Sequence, residues 1–235
     1  MTDEVTNYAF QKSDSGKTTR RAFLLGAAAF GLAGCSASAG RMASVEDSSP
    51  SYISAYGPMP DEMFPLPAID MKQVPPQFQR QMVAYNGAEP AGTLVVDPQN
   101  KFLYLVRGDG EALRYGIGVG RQGFSWSGNA KIGAKKPWPT WTPPSEMIER
   151  QPELEQYRNG MEPGLHNPLG ARALYLCDNG RDTLYRIHGT SEPWSIGKAV
   201  SSGCIRMFNQ DVIDLYNRVN TGSNVFVLQS VSTIS

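Results

Sequence analysis

Two stretches of this chain hold residue types that do chemistry. The first is Ile187-His188-Gly189-Thr190-Ser191-Glu192-Pro193. The second is Ala199-Val200-Ser201-Ser202-Gly203-Cys204-Ile205-Arg206-Met207. A thiol ionises near pH 8.5, so an imidazole able to take its proton raises the reactive fraction at neutral pH. Glycine at 203 lets the backbone come close to a ligand and turn N–H groups toward an oxyanion. On spacing alone, Cys204 fits a catalytic thiol or a buried structural one, a common fate of free cysteine. A bridge from Cys204 to Cys177 is the default for two cysteines in an oxidising compartment. Against it, Leu174-Tyr175-Leu176-Cys177 reads as an apolar strand in which Cys177 is a small core residue. His166, His188, Cys177 and Cys204 show none of the close pair spacings of a zinc site, so no metal or other cofactor is expected.

Strands must position these groups. Gly92–Asp97, Phe102–Val106, Ala112–Val119, Ala173–Leu176, Thr183–Ile187 and Asn224–Leu228 are rich in β-branched and aromatic residues and lie between turn sequences. Asp97-Pro98-Gln99-Asn100, Arg107-Gly108-Asp109-Gly110 and Asp178-Asn179-Gly180-Arg181 are spaced as hairpin turns. The fold class is therefore mainly β, with one or two short helices. These are Ser145 to Arg158, with Ser145 as N-cap, and Asn209 to Val219, with Asn209 as N-cap of a face carrying Val212, Ile213, Leu215, Tyr216 and Val219. A further short helix is expected around Gln77 to Tyr85.

His188-Gly189-Thr190, a gap to Ser201-Ser202-Gly203-Cys204-Ile205-Arg206, and then an Asp-containing helix resemble the signature of the YkuD-type L,D-transpeptidases. Upstream, Leu94-Val95-Val96-Asp97, Gly116 to Gly120, Phe124 to Gly128, Trp138-Pro139 and Asn167-Pro168-Leu169-Gly170 are similar to segments of that family. One departure is Ser202, where many members carry histidine. The resemblance implies a β-sandwich-like catalytic domain that forms a Cys thioester on a peptidoglycan stem peptide, releases D-alanine and passes the acyl group to an amine. Under it Cys204 is the nucleophile and His188 the proton donor and acceptor. Gly189, Ser202, Gly203 and Arg206 support them, and the Gly189 carbonyl holds the imidazole. Trp138 and Trp141 are weaker candidates for substrate contact, and His166 lies in a loop near the cleft. Two alternatives stay open: an L,D-carboxypeptidase or endopeptidase with water as acceptor, and a non-catalytic wall-binding lipoprotein.

The ends fit such a role. Arg20-Arg21 before the apolar Ala22–Gly34 resembles a twin-arginine export signal, too short to stay as a transmembrane helix. Leu32-Ala33-Gly34-Cys35 resembles a lipobox, which would make Cys35 the lipidation site; the alternative is an ordinary cleaved signal in which Cys35 is incidental. The expected organisation is an export signal over 1–34, a Pro/Ser-rich tether over 35–90 and the catalytic domain over 91–235. The expected location is the periplasm, with the membrane met only through a lipid anchor. Acidic and basic residues balance at 22 each. That balance argues against nucleic acid as a partner. The partners that the resemblance implies are peptidoglycan stem peptides, with a wall-anchored protein as an alternative acyl acceptor.

Overall fold

The computed structural model describes residues 54–120, 126–201 and 203–229. Nine of its strands form one mixed sheet: β1 (Gln81–Ala84), β2 (Leu94–Asp97), β3 (Phe102–Val106), β4 (Glu111–Gly116), β6 (Gly128–Pro137), β7 (Arg172–Asp178), β8 (Arg181–His188), β10 (Ile205–Arg206) and β11 (Asn224–Val227). Their order is β1-β4-β3-β2-β11-β6-β7-β8-β10. Only β2–β11 and β8–β10 pair in parallel within it. Two more strands, β5 (Val119–Gly120) and β9 (Ala199–Ser201), pair with each other. The mainly β class holds.

Alternate residues of five strands face one core: Leu94 and Val96, Leu103 and Leu105, Leu113 and Tyr115, Leu174 and Leu176, Val225 and Val227 are all buried. Just past β4, Gly118 exchanges two backbone hydrogen bonds of 2.9 Å with Arg206 of β10. Seven strand steps separate β4 from β10 in the sheet order, which in a flat sheet would be roughly 34 Å at about 4.8 Å per step. The sheet therefore folds back on itself, which gives the sandwich-like character and brings β10 to its place beside β8.

Among the described residues, two whole helices accompany the sheet, α1 (Ser145–Arg150) and α2 (Asn209–Arg218). The single helix expected over 145–158 stops at Arg150, because Pro152 has no N–H to continue it, and a 3-10 turn follows over Pro152–Tyr157. Neither expected N-cap forms. Pro144 and Phe208 hold those positions without side-chain caps, and Asn209 is used elsewhere. The expected helix at 77–85 is instead a 3-10 turn at Pro76–Phe78 and strand β1, because the edge of β4 offers Gln81–Ala84 a register of backbone partners.

Within the stretch read as a spacer, residues 54–84 are packed. Tyr56, Leu66 and Val74 are buried, although the segment has no sustained apolar period to announce it. Glu62 takes two hydrogen bonds from Arg172 and one from the Trp138 indole. Arg80 lies 2.8 Å from Asp214 and 3.8 Å from the fully buried Asp211, which also accepts from Tyr56. Burial pushes the Asp211 carboxyl up to about 7, against the pull of Arg80. Residues 1–53, with the proposed export signal and Cys35, lie outside the described residues.

Candidate active site

His188 is the last residue of β8, and its parallel neighbour β10 sets Ile205 against Ile187 and Arg206 against His188. Cys204, one residue before β10, consequently falls level with Arg186. Its Sγ lies 4.0 Å from Leu184 O, at the long limit of an S–H···O contact, and the Arg186 amide donates to it. Thiol and imidazole thus come from residues two apart in level on adjacent strands. Gly203, at φ 139, has a backbone conformation that a side chain would strain, so the turn into Cys204 favours glycine.

Backbone braces hold the histidine. Its carbonyl accepts from Met207 N at 2.8 Å, and Gly189 N donates to Arg172 O at 3.0 Å. His188 Nδ1 is 2.6 Å from Gly189 O. A carbonyl can only accept, so Nδ1 carries the proton in the neutral ring and Nε2 keeps its lone pair. Gly189 is itself wedged. A Cβ on it would collide with Asn209 Oδ1 and stand 3.0 Å from Ala171 N, and Gly170 is equally crowded by Gly189 and Asn209. The Asn209 amide ties the two loops together, accepting from Ala171 N at 2.9 Å and donating to Thr190 O at 3.0 Å.

Two guanidiniums flank the thiol, each with its own acid. Arg206 pairs with Glu192 at 2.6 Å, and Arg186 makes two 2.7 Å bonds to Asp182 while lying over the Tyr175 ring. Burial is the largest influence on the ionisation of both His188 and Cys204. It pulls His188, 4% exposed, down to about 4, and the positive charges of Arg206 and Arg186 act in the same direction. It pushes the Cys204 thiol up, opposed by the Arg186 amide and by both guanidiniums. At neutral pH the resting pair is therefore a thiol and a neutral imidazole. A neutral imidazole with its Nε2 lone pair available can accept a proton.

The other sequence candidates fall in different places. Trp138, expected at substrate, is 4% exposed, packs on Phe64, Leu66, Ala171 and Ile213, and gives its N–H to Glu62, so it covers the core. Trp141 is half-buried, bridged to Met161 and facing Tyr157. His166 is an exposed loop residue. Ser202 lies outside the described residues. Cys177 and Cys204 are not bridged to each other, and Cys177 Sγ occupies space that any side chain at Gly133 would need. Asn209, Glu192, Asp182 and Leu184 were missed as site residues. A polar residue at a helix start signals a cap, and only tertiary contact reveals that Asn209 braces Gly189 instead. A cavity of about 820 Å³ on the β6–β11 face, around Asn129, Lys131, Asn224 and Phe226, does not include His188 or Cys204. A smaller one of about 400 Å³, between Trp126, Asp182 and Thr183, adjoins the β8 segment that carries Leu184.

The chain is similar in sequence to several known proteins. The Escherichia coli (strain K12) protein named probable L,D-transpeptidase YbiS is 34% identical over 145 residues, 57% of this chain and 43% of that protein. Bacillus subtilis (strain 168) putative L,D-transpeptidase YkuD is 42% identical over 82 residues, 35% of this chain and 48% of that one. A crystal structure from Brucella melitensis, named a probable carnitine operon oxidoreductase caia, is 48% identical, covers 69% of this chain and 98% of its own, and has a TM-score of 0.47. The chain spans less than half the length of these two curated relatives. The sequence family described as the YkuD L,D-transpeptidase catalytic domain matches residues 91–227, more than half of the 235, and the chain belongs to that family.

Proposed function

We propose that this protein is a peptidoglycan L,D-transpeptidase with Cys204 as nucleophile and His188 as base and acid. The observation that carries the reading is the pairing of β8 with β10, together with the Nδ1 contact to Gly189 that leaves Nε2 as the acceptor. His188 Nε2 takes the thiol proton as Cys204 Sγ attacks the carbonyl of the L-centred third residue of a stem peptide. The resulting oxyanion is assigned to the backbone N–H groups of Gly203 and Cys204. On collapse the C–N bond to D-alanine breaks, and the departing amine takes the proton from the imidazolium, leaving a thioester. An acceptor amine then attacks the thioester, gives up a proton through His188, and leaves a new amide and the restored thiol.

In this reading Arg206 stays paired with Glu192 and orders the loop beside the imidazole, while both guanidiniums favour negative charge on sulfur. The arginine pair and the Ala22–Gly34 stretch direct the chain to the periplasm, and Cys35 carries the lipid anchor. Among the described residues no helix is long and apolar enough to cross a membrane.

The test is incubation of the purified protein with disaccharide tetrapeptides, read by mass spectrometry. Cross-linked dimers with D-alanine release support the proposal. Tripeptides alone indicate water as acceptor, and no change indicates a binding protein. Cys204→Ala should abolish every product while the far-UV circular dichroism stays unchanged. Turnover in that variant would overturn the nucleophile assignment.

A further inference from the structure

Strand β8 does not run evenly past the thiol. Tyr175 of β7 pairs with Arg186 and Cys177 with Asp182, so one residue, Leu176, faces three: Thr183, Leu184 and Tyr185. This two-residue bulge is tied internally. Leu184 N donates to Asp182 Oδ1 at 2.9 Å, Tyr185 N to Thr183 Oγ1 at 3.2 Å, and Thr183 Oγ1 to Leu176 O at 2.8 Å. The Asp182–Arg186 pair closes it from outside.

At its apex Leu184 has φ 64, in the left-handed region, where a branched side chain is strained and Gly or Asn sits easily. Its side chain is 76% exposed, so burial in the domain core does not offset that strain. Its own carbonyl is the one 4.0 Å from Cys204 Sγ. A strained, exposed apolar residue beside a nucleophile points from outlier to function.

We propose that Leu184 determines acyl-donor specificity, its isobutyl group forming an apolar shelf beside Cys204 for the alkyl side chain next to the scissile amide. The inference rests on the transpeptidase reading. In a stem ending in D-alanine, the small alkyl group adjoining that amide is the methyl of the leaving residue. Covering one methyl is worth roughly fourfold in binding. Contact that is equal in the bound and transition states appears in KM and spares kcat.

The experiment compares wild type with Leu184→Gly, which removes strain and side chain, and Leu184→Ala, which keeps the strained backbone and removes the shelf. D-alanine or glycine release is measured from otherwise identical stems ending in either residue. Wild type should favour D-alanine several-fold in kcat/KM, and both variants should bring that ratio close to one. KM for the D-alanine stem should rise about fourfold with kcat changed less than twofold. Iodoacetamide alkylation of Cys204 should stay within twofold, and the thermal midpoint of Leu184→Gly should not fall. A purely structural leucine would lower the midpoint and leave KM and the ratio as in wild type, and that result overturns the proposal. A wild-type protein that releases neither amino acid overturns the transpeptidase reading and the role of Leu184 with it. Wild-type turnover with unchanged variants overturns Leu184 alone.

Discussion

Burial holds His188 near a pKa of about 4 in the folded protein, against about 6.5 for an exposed imidazole, and this difference should be measurable as stability. Between these values the unfolded chain binds a proton that the folded chain does not, so unfolding is favoured as pH falls from about 6.5 toward 4. Above 6.5 both states are neutral at this residue and the full stability is present. A shift of about 2.5 units at 1.36 kcal/mol per unit gives a loss of about 3 kcal/mol by pH 4, of which about 2 kcal/mol is gone at pH 5. Because the ring is almost wholly inaccessible, solvent screening does not reduce this value. Asp211, raised to about 7, works in the opposite direction over roughly pH 4 to 7, so wild type alone would show a blunted slope. The comparison should therefore be with His188→Asn, which keeps an N–H for Gly189 O and cannot titrate. Urea denaturation of both proteins from pH 4.5 to 7.5 should show wild type losing ground to the variant as pH falls, by about 2 kcal/mol between pH 7 and 5. Parallel stability curves would refute the argument that a buried neutral imidazole sits beside the thiol.

Three further outcomes follow from the packing. Gly189→Ala places a methyl against Asn209 and Ala171, and should cut turnover at least tenfold while lowering the thermal midpoint by several degrees. Asn209→Ala leaves Ala171 N and Thr190 O without this partner, and chemical denaturation should show a loss of about 2–4 kcal/mol, with Asn209→Asp recovering only the bond from Ala171 N. Arg80→Met strips the buried Asp211 carboxylate of its guanidinium, and should cost about 3–5 kcal/mol at pH 8 and less at pH 5, where the carboxyl is protonated, with faster proteolysis of residues 54–80 as a second readout.

Strands β2, β3, β7, β8 and β11 were legible because alternating apolar residues between turn signals report a half-buried strand locally. Strand β6 was not. Gly128–Pro137 turns only Ala130 and Ile132 inward among lysines, glycines and a proline, and it is a strand because β7 and β11 flank it. The packed segment 54–84 was hidden for a related reason. Tyr56, Leu66 and Val74 are anchors separated by irregular turns, and each finds its partners far along the chain.

The sequence by itself determined the chemistry available: one imidazole and one thiol within a pair of motifs that resemble the family's, on a chain whose β-branched and aromatic segments read as strands. Side-chain types and local order suffice for that. Tertiary structure alone decided how the groups are poised. The parallel pairing of β10 with β8 brings Cys204 beside the strand that ends at His188, and burial makes the resting pair neutral. Asn209 braces the glycines behind the imidazole, and the bulge sets Leu184 next to the sulfur. Those properties depend on register, desolvation and contacts between residues distant in the chain, none of which a local pattern encodes.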